Sequence, residues 1–457
     1  MKKASDFGFA PGGAPSANSA ALNAAVQGGG TVWVDGVGIA DVCDPVVLGD
    51  HTTLIFENGL HLRRNPSADG KNGYVFVNEG AFSGRTNRHI RLHGLSLICN
   101  GVMCSSGGVQ TDRCVPGLRG MLAFYRVADL AITDFETFDL PAQDFAIHVC
   151  TFEDLRVENV RIEGRKDGVH LGRGKRFVIR HGLFRTFDDP IALNAHDYAS
   201  SNPELGWIED GRIEDCYDLN DRDTTGYFCR ILAGSWVDWF PGMQVQHSDT
   251  VVHNHRIYRV YMKPDGTVYT STTPPTHTHG TAKLDGIRWV MVQTGDAHSC
   301  GCRNIHFSDI YLEKDRGTAF SIHFDKDKWS RSVYPYSEMP VQSGITFEDI
   351  HISGHIPTFL HARTPVDAVR LVRTELGGST ITLCDIETPG TSYVPTAVTL
   401  DGCTVQPGAR PLLEVTGQRA ATIRAAHTTV LPSDIPVQVS GAGTVGENDL
   451  GVAQTVG

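Results

Sequence analysis

Apolar residues recur along the chain at offsets 0, 2, 5 and 7. Ile90, Leu92, Leu95 and Leu97 fill this template, as do Leu155, Val157, Val160 and Ile162; Ile305, Phe307, Ile310 and Leu312; and Ile345, Phe347, Ile350 and Ile352. Partial copies start at Leu130, Phe177 and Ile381. Each copy is two short runs of period 2 separated by a two-residue corner, and period 2 belongs to strands, not to a helix face. Leu130 to Leu155 is 25 residues and Leu155 to Phe177 is 22, about one solenoid coil. A unit this small cannot bury its apolar side alone, whereas stacking coil on coil makes one continuous core. The pattern predicts an all-β chain, a single-stranded right-handed parallel β-helix. Leucine-rich repeats would show a leucine-asparagine signature with helical returns, and neither is present.

The ends and interruptions refine this. Asp6-Phe7-Gly8 precedes a small-residue stretch from Ala17 to Val26, read as one short helix capped by Ser16 or Asn18. Gly28-Gly29-Gly30 ends it and Thr31-Val32-Trp33-Val34 begins a strand. A helix there covers the unpaired strand edges of an open solenoid end. With the coil Thr53-Leu54-Ile55-Phe56-Glu57-Asn58-Gly59-Leu60, this opening resembles the pectin-lyase-like β-helix superfamily, which implies that 5–60 form the N-terminal cap and first coils. Two regions break the coil pattern. In 238–283, Tyr258 to Tyr269 reads as a protruding hairpin turning at Pro264-Asp265-Gly266. In 325–341, an aromatic and basic segment lies between coils. The strands of 360–457 read as terminal coils of the same single domain, 1–457.

Composition narrows the class. The chain has 457 residues, 40% hydrophobic and 20% charged, so a packed fold is expected and disorder is not. A net charge of −12, with no basic run, argues against nucleic acid as a partner. No apolar run reaches 18 residues, so no transmembrane helix is encoded and no membrane partner is expected. MKKASDFGFA has a basic beginning without an apolar core segment, which reads as an intracellular start or that of a mature secreted chain. Eleven cysteines cannot all pair; buried thiols are expected, with a pair such as Cys99 and Cys104 left open. The 49 glycines are assigned to coil corners. Oligomeric state is not encoded in any of these features.

The sharpest candidate chemistry is Lys166-Asp167-Gly168 followed by Asp188-Asp189-Pro190-Ile191-Ala192-Leu193. Asp167 and Asp188 are 21 residues apart and are expected to stack on neighbouring coils at the ~4.8 Å strand spacing. Three carboxylates held this close repel when all are ionised, which keeps a proton on one and leaves the others as bases. That is equipment for glycosidic bond hydrolysis. These two motifs resemble those of glycoside hydrolase family 28, the polygalacturonases and their relatives. The resemblance implies that Asp188 is the general acid, that Asp167 and Asp189 activate water with inversion, and that a polysaccharide or oligosaccharide is the substrate. It covers 165–195 as chemistry. The family's G-H-G and R-I-K motifs are missing, with Gly226-Tyr227-Phe228 and Arg230-Ile231-Leu232 in roughly their place.

Further substrate-binding candidates are Arg230, for a sugar hydroxyl or carboxylate, and His196 with Asp197, just beyond the paired aspartates. Trp236, Trp239 and Trp329 suit stacking on sugar faces. His323, Lys326, Arg331 and Tyr334 are expected along the far wall of a cleft. The His277-Thr278-His279 pair lacks a third ligand nearby, so no metal is assigned, and no organic cofactor is expected. The 238–283 insertion suggests a blocked groove and exo action. A polysaccharide lyase, a fructan-transforming transferase and a non-catalytic, tailspike-like glycan binder remain alternatives on the same fold.

Overall fold

A computed structural model of the chain describes residues 1–104, 113–221, 223–384, 394–406, 410–431, 437–450 and 453–456. Its main sheet has 28 strands, each paired in parallel with the strands one coil above and below, and closes into a right-handed β-helix. The repeat template becomes a set of inward ladders. Leu130 pairs with Leu155, Leu155 with Phe177, Phe177 with Gly211, Gly211 with Ile305, and Ile305 with Ile345. These residues join one apolar core running the length of the solenoid. Near its C-terminal half, Phe307 stacks on Phe347 with centroids 5.2 Å apart, and Phe320 and Phe359 pack around them.

The corners have a regular conformation. The fourth position after each template start is left-handed: Gly94, Asp134, Asn159, His181, Asp215, Asp309 and Asp349 all have φ between 48° and 78°. The position before each start repeats this at His89, Asp129, Asp154, Arg176, Asp210, Asn304 and Gly344. Glycine therefore holds only two of these fourteen corners, contrary to the reading of the glycine content. Asp and Asn dominate because their short polar side chains tolerate this conformation better than other non-glycine residues.

The first helix is Pro15–Val26, with Pro15 at its first turn and Ala14 preceding it, so neither Ser16 nor Asn18 caps it. Asn18 is instead buried, bonding both the N–H and the C=O of Ala10 and the carbonyl of Asp41. Leu22, Ala25 and Val26 cover the first coils, as an end cap should.

The insertion is larger than expected and not a hairpin. Gly234–Ser235 pairs antiparallel with Ser299–Cys300 and closes its base. Arg256–Val260 pairs with Ile287–Thr294, and Tyr269–Ser271 with Met243–Val245, so the two arms of the expected hairpin have different partners. Tyr258 and Val260 are fully buried, and Trp289 and Ile287 on the distant strand supply the apolar cover that a local turn could not. Beyond residue 360, Ala368–Val372, Thr380–Leu383, Thr396–Asp401, Leu413–Val415 and Ala420–Ala426 continue the parallel stack; stretches 385–393, 407–409, 432–436 and 451–452 of this region lie outside the described residues.

Cys99 does not approach Cys104. Its sulfur contacts Thr137, while Cys104 Sγ stands 3.6 Å from Cys114 Sγ and the described cysteines are free thiols.

Gly211 sits in the inward ladder where a Cβ would lie 2.1 Å from the Phe177 ring. Gly211→Ala is expected to cost about 1–3 kcal/mol by overpacking, read as a shift of the urea midpoint. Adding Phe177→Leu should recover part of the loss, a coupling that independent sites would not show.

Candidate active site

The register around the carboxylates differs from the sequence reading by one residue. Val169–Leu171 pairs with Ile191–Asn194 so that Val169 faces Ile191, 22 positions on, and Gly168 N–H donates to Asp189 O. Asp189 therefore stands over Asp167, and Asp188 over Lys166. On the next coil Cys229 faces Ile191, which brings Gly226 and Tyr227 above the Asp188-Asp189 pair. A Cβ on Gly226 would lie 2.3 Å from Asp189 Oδ1 and 2.6 Å from Asp188 Oδ1, and its φ is +69°. Only glycine leaves room there for both carboxylates.

The three carboxylates do converge. One oxygen from each of Asp167, Asp188 and Asp189 lies within 4.8 Å of the others. That geometry could hold a divalent cation, but positive charge is already built in. Lys166 Nζ contacts Asp188 Oδ2 and lies 3.1 Å from Asp167 Oδ1. Arg230 Nε lies 3.0 Å from Asp189 Oδ2, and Tyr227 N–H donates to Asp189 Oδ1 at 2.7 Å.

The environments separate the three acids. Asp189 is fully buried, and burial reinforced by Asp188 and Asp167 pushes it up from 3.8 to about 7 despite Arg230. Burial acts on Asp167 in the same sense, but Lys166 and a bond to His170 reverse it and hold Asp167 well below the usual carboxylate range. For Lys166, burial opposes the charge and the two aspartates restore it, raising its value. Asp188 is the member that opens outward, its side chain 20% exposed against 0% for Asp167.

Behind the triad lies a second buried charge layer. His170 Nδ1 is 2.9 Å from Asp167 Oδ2 and its Nε2 is 3.2 Å from Asp197 Oδ2. Its ring stacks on Phe145 at 3.9 Å. Burial alone would neutralise it, yet the two flanking carboxylates raise its value. Arg230 is drawn to Asp189, Asp197 and Asp167 together. These groups share an outward ladder, His148 to His170 to Ala192 to Arg230 to Ser321 to His361. Arg316 and Asp218, both buried, form a two-point ion pair at 2.6 and 3.0 Å; Arg316 also donates to Thr225 O at 2.8 Å, fixing the loop that leads to Gly226.

Asp188, Asp189, Tyr227 and Arg230 line an open cleft of about 550 Å³, walled by Tyr198, His323 and Asp325. It continues past His323, Lys326 and His361 to Arg363 in a further space of about 370 Å³. Arg230, His323 and Lys326 thus line the cleft or its continuation. Asp197 lies beneath, as a charge partner of His170. The remaining candidates are elsewhere. His196 is fully buried against Thr250 of the insertion, Nε2 to Oγ1 3.3 Å. Trp236 is a buried anchor whose N–H donates to Ala297 O. Trp239 packs on the insertion core and donates to Ser271 Oγ. Trp329 is half exposed but does not line the cleft, and Arg331 and Tyr334 reach away to Asp249 and Gln244 O. Each tryptophan has found apolar cover or an ordinary surface position, which composition alone cannot distinguish from a sugar platform. Lys166, His170 and Tyr227 are the residues missing from the sequence candidates. A lysine directly before Asp167-Gly168, and a histidine three positions after Asp167, were the available signals.

No family model and no curated protein matches this sequence. Among solved structures, the chain is similar to the Yersinia enterocolitica family 28 exopolygalacturonase (12% identity, 97% of this chain and 77% of that one, TM-score 0.48). It is also similar to the catalytic unit of a GH87 α-1,3-glucanase from Streptomyces thermodiastaticus (12%, 100% and 69%, 0.47) and to the Streptococcus pneumoniae surface protein and adhesin PfbA (12%, 97% and 99%, 0.43). The strand pairing itself makes the fold a right-handed parallel β-helix.

Because Asp189 is raised above its unfolded value, the folded state holds a proton between about 3.8 and 7 that the unfolded chain has lost, so this group costs stability as pH rises through about 7. Asp189→Asn is expected to melt above the parent at pH 8 and to lose most of that advantage at pH 5, in paired thermal scans. Infrared titration should show one protonated carboxyl persisting toward neutral pH and absent from the variant.

Proposed function

We propose that this chain hydrolyses glycosidic bonds in a polysaccharide or oligosaccharide. One observation carries the reading: three carboxylates meet beside an open cleft that two of them line, and one of them retains a proton near neutrality while another is held ionised. Hydrolysis needs both forms at once, an acid for the leaving oxygen and a base for water.

Asp188 is the carboxyl exposed to the cleft and is the proton donor. In the resting site the proton of the coupled pair sits on Asp189. As a glycosidic oxygen arrives, the proton passes to Asp188 and then to that oxygen while the bond to the anomeric carbon breaks. Asp189, now a carboxylate, accepts a proton from the attacking water, and the new C–O bond forms. The site returns to its starting protonation. Asp167 and Arg230 hold the charge balance, and His323 and Lys326 contact the sugar chain. Oxygens within 4.8 Å of one another ordinarily accompany retention. Asp189 lines the cleft, but the Tyr227 N–H and Arg230 engage its two oxygens, which leaves it a base toward water and not a nucleophile, and inversion is the expected outcome. The residues lining the cleft come from the solenoid and the segment after Ile322, none from the insertion. The insertion acts on the cleft through Asp249–Arg331 and Gln244–Tyr334, which brace that segment.

Lys166 favours a second reading. An ammonium beside carboxylates is what a lyase uses to neutralise a uronate while a base removes the adjacent proton. A panel of neutral and acidic polysaccharides with reducing-end detection separates the two. Hydrolysis yields new reducing ends without ultraviolet absorbance, while an unsaturated, absorbing product would replace the hydrolase reading with the lyase. Asp188→Asn should lower kcat by about 10²–10⁴-fold with an unchanged circular dichroism spectrum; near-normal turnover would remove Asp188 from the mechanism. The first-formed anomer, read by proton NMR, is expected to be inverted.

A further inference from the structure

A second cavity, of about 500 Å³, lies across the Asn194–Leu205 loop from the cleft. Tyr198 of that loop faces the cleft, whereas Ala199, Asn202 and Pro203 line the cavity. The opposite wall comes from the insertion and includes Arg259 and Arg288. Gln293 clamps the loop to the insertion, accepting from Leu205 N–H at 2.7 Å and donating to Leu205 O at 2.9 Å.

Arg259 is the unusual group. It is 2% exposed, and its Nε and Nη2 are buried with no hydrogen-bond partner. Among the described residues no carboxylate lies within ion-pair distance. Asp197 attracts it only from afar and is committed to His170 and Asn194. Burial pushes Arg259 down from 12.5 to about 10, still protonated at neutral pH. A buried guanidinium without an acid is costly, and two other buried arginines each have one: Arg316 has Asp218 and Arg230 has Asp189. Arg288 adds a second positive charge, stacked on Tyr261 at 4.9 Å. Phe82, Tyr125 and Val290 supply an apolar wall.

We propose that this cavity binds a small organic oxyanion, a carboxylate or phosphate seated on Arg259 and Arg288 with its apolar body against Phe82, Tyr125 and Val290. The fork of Arg259 matches the two oxygens of such a group. The site is independent of the reaction proposed for the cleft, because the Asn194–Leu205 loop stands between them.

Calorimetric titration of the full chain with benzoate, inorganic phosphate and neutral benzamide tests this. At least one of the anions is expected to bind at a single site, with benzamide at least tenfold weaker than benzoate if benzoate is the ligand. Benzoate without phosphate assigns a carboxylate; phosphate without benzoate assigns a phosphate. Arg259→Met should weaken the bound anion at least tenfold and also raise the melting temperature without ligand, because it removes an unpaired buried charge. Arg288→Ala, at a more open position, should weaken the anion without that rise. No binding of either anion, or anion affinity unchanged in Arg259→Met, would overturn the proposal.

Discussion

Everything in this molecule depends on the strict registry of one coil on the next. Parallel pairing fixes which residue lies over which, so a chemical group at one position is answered by the residue one coil away. In the core the answer is another apolar side chain, and the ladders from Leu130 to Ile345 run without a polar member. On the outside, registry places Asp189 over Asp167 and Asp188 over Lys166, and so determines both which charges repel and which are compensated.

Compensation is what makes so acidic a centre tolerable in a buried position. Isolated charges in a protein interior cost several kcal/mol each, and from Asp167 through His170, Asp197 and Arg230 to Asp189 each acid in the layer meets a base. The compensation is not complete at Asp189. Its raised proton affinity comes first from burial and then from two neighbouring carboxylates whose repulsion one arginine does not cancel. The carboxyl with the most raised proton affinity thus stands where the charge pattern is left uneven.

Much of this was legible in the sequence. Period 2 with a two-residue corner is a local signal, and it identified the solenoid. The three aspartates were recognisable because a motif pair one coil apart is rare by chance. What escaped detection was non-local. Counting 21 residues from Asp167 to Asp188 misassigned the stack by one, because the corner conformation decides the coil length and cannot be read from spacing. The insertion strand Ile287–Thr294 competes with a local turn at Pro264-Asp265-Gly266 and wins through the burial of Trp289. His170 looked like an ordinary strand residue until Asp197, a coil away, faced it.

The antiparallel clamp of Gly234–Ser235 on Ser299–Cys300 returns the chain to the solenoid at nearly the point where it left. Arg230 still meets Ser321, and Ile213 still meets Phe307, as if the intervening residues were not there. The insertion is therefore topologically silent. A segment with its own sheet and core can be lengthened, exchanged or remodelled through evolution while the stacking beneath it, and the carboxylates that the stacking aligns, pass unchanged from one version of the protein to the next.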